Sequence, residues 1–322
     1  MIRNALKLPL RKSYPALLGE LRFDYMDIPK DGTNYKHYFA SQAQGETNPP
    51  ATKMIRLAQE LADLSNALPI DYTNAMFIRV DRERIDLMKA VICGANGTPY
   101  AHGIFEYDLY LPNNYPNTNP KCNLMTTGNQ QVRFNPNLYS NGYVCLSLLG
   151  TWRGNANENW DPKLSTILQL LLSIQAVVMS EEVYFNEPGY ENTAGTPDGE
   201  RKNEGYMNIV RYCNIKFAMV EMMQKPIKGF EEVIHRHFYL KREQVMNEVG
   251  HWVKLSEKNE ADYNGLVSSH NWSWCDKFKK SKDAYRNALK EIVEELDKQL
   301  KALDPPSIRE VKEGEGKKDK AA

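Results

Sequence analysis

The sequence predicts an α+β fold, and three observations carry that expectation: one amphipathic helix near residue 55, a run of short apolar strands behind it, and long helices through the second half. The first helix is TKMIRLAQELADLSNAL. It follows the turn-forming GETNPP and repeats Ile55, Leu57, Ala58, Leu61, Leu64 and Leu68 at helical spacing. MFIRVD, DLMKAVICG and GIFEYDLYLP come next. They are rich in β-branched and aromatic residues and are separated by charged or Gly/Asn/Pro clusters, so they read as consecutive antiparallel strands. KLSTILQLLLSIQAVVM is apolar enough to be expected as a helix buried on most sides. YMNIVRYCNIKFAMVEMMQ and FEEVIHRHFYLKREQVMNEVGHWVKL are two further helices, broken apart by Pro226 and Gly229. In FKKSKDAYRNALKEIVEELDKQLKAL, residues Tyr285, Leu289, Ile292, Leu296 and Leu300 share one face, giving a surface or partner-binding helix.

Composition narrows the function classes. Lys+Arg and Asp+Glu both total 41 in 322 residues, so no overall field favours nucleic acid or an anionic membrane, and protein partners lead. A hydrophobic fraction of 42% suffices for a core. No apolar run approaches the roughly 20 residues of a membrane span. The opening MIRNALKLPLRKSYPALLG is too broken by charge and proline for a signal peptide, so the expected location is cytoplasmic. Cys93, Cys122, Cys145, Cys213 and Cys275 are odd in number and include no C-x-x-C pair, so they are expected as free thiols. The histidines include His235 and His237 but no H-E-x-x-H, and no metal site is expected.

Phe134 to Gly154 reads FNPNLYSNGYVCLSLLGTWRG. Its Asn141-Gly142 dipeptide is a turn signal, and Cys145 leaves that turn between Val144 and Leu146. Two readings fit: an ordinary buried thiol, or a sulfur that the turn presents for chemistry.

The surrounding residues resemble the ubiquitin-conjugating enzyme family. In that family a helix precedes a four-strand meander with a Tyr-Pro turn. A His-Pro-Asn tripeptide follows, with the active cysteine eight positions after its asparagine, then Trp-x-Pro and a helix reading like L-L-S-I-Q. Here stand Tyr115-Pro116, Asn135-Pro136-Asn137, Cys145 eight positions after Asn137, Trp160-Asp161-Pro162, and LLSIQ from Leu171 to Gln175. RFNPNLY, VCLSLLGTW, YFNEPGYE and VIHRHFYLKR, together with LRFD and RLAQELADLS, are similar to the large BRUCE/Apollon-like class, a fused conjugating enzyme and ligase. The likeness runs from about Leu18 to Trp252. It implies a ubiquitin-conjugating fold, a four-stranded antiparallel meander packed by helices. The division expected is an N-terminal extension over 1–50, a catalytic domain over 51–240 and a C-terminal helical extension over 241–304, while the charged, apolar-poor composition of 305–322 is expected to leave a disordered tail. The inhibitor-of-apoptosis zinc repeat of that class is absent from this sequence, so a caspase-binding role does not carry over.

The resemblance also assigns roles. Cys145 is the expected thioester nucleophile, taking the C-terminal glycine of ubiquitin and passing it to a substrate lysine. Thioester exchange needs a thiolate and no paired histidine, so the turn is expected to expose the sulfur. Asn137 is expected to stabilise the oxyanion, or else to tie the loop through hydrogen bonds to backbone. Asn135 stands where most members have histidine and is expected to brace the loop. Glu187 is expected to help activate the lysine, or to be a solvated loop carboxylate. Trp152 is expected to be a buried anchor for the loop after Cys145, with contact to ubiquitin or substrate the alternative, and Arg153 is expected to be solvated. Tyr115, Pro116, Trp160 and Pro162 would form the ligase-docking surface. Asn117 replaces the family's bulky aromatic there, which puts RING-ligase binding in doubt.

The expected partners are ubiquitin or a ubiquitin-like protein, an activating enzyme and protein substrates, with no nucleic acid. No cofactor is expected on this chain, since ATP is used upstream by the activating enzyme and no phosphate loop is present. The C-terminal helices would recognise substrate or mediate self-association. Two competing readings are an inactive conjugating-like domain that only holds ubiquitin, and a cysteine hydrolase, which requires a histidine beside Cys145.

Overall fold

The computed structural model describes residues 2–30, 36–154, 156–258, 261, 278 and 282–306. Its strands are β1 (Phe23–Met26), β2 (Ile70–Asp71), β3 (Asn74–Asp81), β4 (Leu87–Cys93), β5 (Ile104–Tyr110) and β6 (Lys121–Leu124). Strands β3 to β6 form the expected antiparallel meander, with Lys89 opposite Arg79 on one side and Asp108 on the other. The N-terminal extension adds something the sequence did not announce: β1 lies parallel to β3, Phe23 opposite Ile78, in a sheet ordered β1-β3-β4-β5-β6. Strand β2 folds back on β3.

Side chains alternate across the sheet. One face carries Ile78, Val80, Met88, Ala90, Ile92, Phe105, Tyr107 and Leu109, all buried in the main core. The other carries Arg79, Lys89 and Asp108 in one cross-strand row. Lys89 Nζ reaches Asp108 at 2.6 Å and Glu106 at 2.8 Å. The N-terminal extension covers the Asp108 end of this row, while Arg79 donates to the Gly229 carbonyl at 2.8 Å and lies 4.7 Å from the centroid of the Phe230 ring. Tyr38 N donates to Asp108 at 2.6 Å, and α3 (Ala40–Gly45) follows directly. Ahead of β1 lie α1 (Ile2–Ala5) and α2 (Leu10–Leu18).

Helix α4 (Ala51–Ala67) forms where its period indicates, but its buried face is Lys53, Leu57, Glu60, Leu61 and Leu64. Ile55 and Ala58 are exposed, contrary to the sequence expectation. The face is rotated because Lys53 pairs with Asp86 at 2.7 Å and Glu60 accepts the Ile167 backbone N–H at 2.8 Å, so both charges are satisfied inside. Helix α5 (Ile167–Ser173) runs on as a wider turn over Ile174–Val178, and its start is closed by a capping box between Thr166 and Gln169. Expected to be buried on most sides, this segment is buried on one; Leu164, Leu172 and Val177 face outward.

Helix α6 (Pro197–Cys213) continues through Asn214–Val220 into α7 (Glu221–Gln224). Asn214 donates to the carbonyls of Pro99 and Ala101 at 3.1 Å, and it presses on Gly103, where a Cβ would fall 1.8 Å from its Oδ1. After the Pro226 and Gly229 break, α8 (Glu231–Lys258) runs unbroken through residue 240, the expected domain boundary. Tyr14 of α2 donates to His237 Nδ1 at 2.7 Å, while His237 Nε2 donates to the His102 carbonyl at 3.0 Å, which assigns the tautomer from the network. The last helix, α9 (Lys282–Lys301), packs on α8 and on Asn214–Val220. Tyr285, Leu289, Leu296 and Leu300 are buried there, so most of the face that the sequence offered to a partner is spent within the chain. Residues 307–322 of the expected disordered tail, and Cys275, lie outside the described residues.

Candidate active site

The eight-residue spacing between Asn137 and Cys145 closes as a hairpin. Tyr139 N donates to the Tyr143 carbonyl at 3.0 Å, Leu138 pairs with Val144, and Cys145 N donates to the Asn137 carbonyl at 2.9 Å. Position 141 is the centre of that symmetry, and Gly142 beside it adopts φ +89. A side chain at 142 would also place its Cβ 2.4 Å from the Leu124 carbonyl, so glycine is required on both counts. The turn therefore sets Cys145 directly against the backbone of Asn137.

Beneath the hairpin, Asn135 is fully buried. Its Oδ1 accepts from Asn137 N at 2.8 Å, and its Nδ2 donates to the Val178 carbonyl at 2.8 Å and the Tyr100 hydroxyl at 3.2 Å. Asn135 thus ties the loop to the end of the α5 segment. Asn137 is held by its backbone alone. Among the described residues its side-chain amide has no hydrogen-bond partner, which leaves it available to a passing oxygen.

Cys145 itself differs from expectation, being only 7% exposed. The chain turns back over it through Ser147–Leu149 and Gly150, and the thiol donates to the Thr151 carbonyl at 3.3 Å. Thr151 closes this turn. Its Oγ1 donates to the Val144 carbonyl at 2.7 Å and accepts from Leu146 N at 2.9 Å. Burial raises the thiol pKa and Glu187 adds to the rise, while Arg133 and the Tyr139 hydroxyl pull it down. Glu187 pairs with Arg133 at 3.1 Å, so it belongs to this neighbourhood rather than to open solvent.

Trp152, expected to be buried, is 44% exposed, because the turn is clasped by Thr151 and needs no aromatic anchor. Arg153 is exposed. Tyr115 is 2% exposed and is no surface residue. Its hydroxyl donates to the buried Glu60 carboxylate, so the ring is committed to the core. Trp160 packs at a tilt beside it, ring centroids 5.6 Å apart, and donates Nε1–H to the Pro116 carbonyl at 2.7 Å; the Tyr115–Pro116 bond is cis. Pro116 and Pro162 are half-buried and Asn117 is exposed. Asn119 donates to the Leu148 carbonyl at 3.0 Å, joining this proline loop to the turn after Cys145.

Among the described residues no histidine bonds to Cys145. The thiol that does meet one is Cys93, 3.7 Å from His237 Nδ1 in the core. Burial pushes that thiol up to about 12 and holds the imidazole well below its ordinary range, so neither group carries charge near neutrality. Thr151, Arg133 and Tyr139 were not singled out from the sequence. Thr151 carried no signal there, while Arg133 and Tyr139 stand two residues from Asn135 and Asn137 and were legible only as neighbours of the motif.

Residues 56–213 match the family described as "Ubiquitin-conjugating enzyme". The chain belongs to the ubiquitin-conjugating enzyme family. It is 42% identical over 270 residues to the human "Dual E2 ubiquitin-conjugating enzyme/E3 ubiquitin-protein ligase BIRC6", a match spanning 81% of this chain and 6% of that relative. It is 37% identical to "Probable ubiquitin-conjugating enzyme protein 17" of Caenorhabditis elegans over 79% of this chain and 34% of the relative. With "Putative ubiquitin-conjugating enzyme E2 38" of Arabidopsis thaliana the figures are 40% identity, 70% of this chain and 65% of the relative. The chain thus spans between 6% and 65% of the length of these relatives, less than two thirds of each. No helix among the described residues is long and apolar enough to cross a membrane.

Proposed function

We propose that this conjugating-enzyme chain carries ubiquitin as a thioester on Cys145 and transfers it to a substrate lysine. The observation that supports this best is the backbone pairing of Cys145 with Asn137, which sets a nucleophilic sulfur beside an uncommitted side-chain amide. In loading, the Cys145 thiolate attacks the thioester carbonyl on the activating enzyme. A new C–S bond forms, the old one breaks, and the activating enzyme's sulfur leaves as thiolate. In discharge, a neutral lysine amine attacks the carbonyl. The C–N bond forms, Cys145 leaves as thiolate, and the amine's proton passes to a base, for which Glu187 is the candidate. Asn137 N–H groups stabilise the negative oxygen between these steps.

The 7% exposure of Cys145 means that the 146–151 turn must yield for a ubiquitin tail to reach it. In this reading the chain chooses substrates itself, acts in the cytoplasm and binds no cofactor, ATP being spent by the activating enzyme.

The test is incubation with activating enzyme, ATP and a panel of ubiquitin-like modifiers. A reducible adduct is expected, absent in Cys145→Ala. Asn137→Ala should load normally and discharge to lysine ~10²-fold more slowly. Failure to load with any modifier removes the enzyme reading in favour of a domain that only holds ubiquitin. Loading with a relative of ubiquitin instead would change the modifier and keep the chemistry.

A further inference from the structure

Arg133 is where three separate parts of the site meet. Its Nη2 lies 3.1 Å from the Glu187 carboxylate and donates to the Pro136 carbonyl at 2.5 Å. The guanidinium carbon sits 4.4 Å from the centroid of the Tyr139 ring, the stacking that a delocalised cation favours. Its own carbonyl accepts the Tyr206 hydroxyl at 3.1 Å, which anchors the stem to α6 by a bond that no side-chain substitution at 133 removes. The side chain is only 14% exposed, so its charge is poorly screened by solvent.

We propose that Arg133 is a positioning residue of the Cys145 site: its guanidinium holds the Glu187 carboxylate and the Tyr139 ring against the hairpin that pairs Asn137 with Cys145, and sets a positive charge there. The proposal rests on the conjugating reading for its meaning, but its geometry does not. Among the described residues the ionisable groups acting on Cys145 are Arg133, Tyr139 and Glu187, and Glu187 opposes the thiolate that Arg133 favours. Pairing the two charges moderates the carboxylate's effect while the sulfur waits to be loaded. It also keeps the carboxylate within the site for the later step, when an incoming lysine ammonium competes with Arg133 for it. A lysine at 133 would supply the charge without the planar guanidinium that lies over the Tyr139 ring while its Nη2 meets the carboxylate and the carbonyl.

The experiment measures alkylation of Cys145 by iodoacetamide against pH, read by mass at the Cys145 peptide, in the full chain and in Arg133→Gln, Arg133→Lys and Glu187→Gln. Arg133→Gln should raise the midpoint by about one pH unit and slow alkylation near neutrality about tenfold. Glu187→Gln should lower the midpoint. Arg133→Lys should bring the midpoint back toward the parent while discharge of the loaded thioester to free lysine stays several-fold slow. An unchanged midpoint in Arg133→Gln, or in Glu187→Gln should the first variant fail to fold, overturns the proposal, as does full recovery of discharge in Arg133→Lys. Alkylation needs neither activating enzyme nor modifier, so a chain that never loads sinks the conjugating reading and leaves this result standing.

Discussion

The side-chain amide of Asn135 donates to the carbonyl of Val178 across 2.8 Å, joining the loop that carries Cys145 to the last turn of the helix behind it. The same side chain accepts from Asn137 N, so one buried residue links helix, loop and the proposed oxyanion donor.

Asn135→Ala should therefore cost about 2–3 kcal/mol, because it leaves the buried Val178 carbonyl and the partly buried Asn137 N–H without their partner. Urea denaturation measures this. Asn135→His, which keeps one donor and one acceptor, should recover part of the loss, and equal loss in both would mean that shape rather than hydrogen bonding fills the site.

Thr151→Val keeps the volume of Thr151 and deletes the hydroxyl that closes the turn over Cys145. Losing about 1 kcal/mol of closure should speed alkylation of Cys145 about fivefold at a pH where the thiol is fully ionised. An unchanged rate would mean that the turn does not control access to the sulfur.

Lys89 sits between Glu106 and Asp108 in the covered face of the sheet. Burial disfavours its charge, yet the two carboxylates outweigh that and raise its pKa above the ordinary lysine value. Lys89→Met should destabilise the chain by about 3–5 kcal/mol at neutral pH, since it strands two buried carboxyl groups. Adding Asp108→Asn and Glu106→Gln to it should recover a large part of that loss in the same denaturation measurement.

Lys241 is buried against Tyr14, Cys93, His102 and His237. Burial pulls its ammonium down to about 8, with Cys93 and Asp71 opposing the shift only in part. An unfolded lysine titrates near 10.4, so between about pH 8 and 10.4 the unfolded chain holds a proton that the folded chain has released. Stability from this group rises with pH through that window, and the full cost of the buried charge, on the order of a few kcal/mol, is present below it. Lys241→Met should be more stable than the parent near pH 7, and the gap should close toward pH 10. Comparing the two chains removes the contribution of buried tyrosines, which lose stability as pH rises. A gap independent of pH would show that Lys241 is not the group responsible.

Local signals in the sequence decide a good deal. The helix after GETNPP, three of the four meander strands and the break at Pro226 and Gly229 follow from period and turn chemistry acting over a few residues. So does the hairpin, because a turn centred at 141 forces residue 137 to face residue 145. What the sequence could not decide depends on partners far along the chain. Lys53 and Glu60 displace Ile55 from the buried face only because Asp86, Tyr115 and Ile167 arrive to meet them. Four residues of the N-terminal extension become a strand only beside β3. Arg133 becomes part of the site only when Glu187 reaches it, and Cys145 sinks to 7% exposure only when Thr151 folds back to cap it. Period and turn preference are properties of neighbouring residues, whereas burial and charge pairing are properties of whatever the fold brings alongside, so only the tertiary structure could set them.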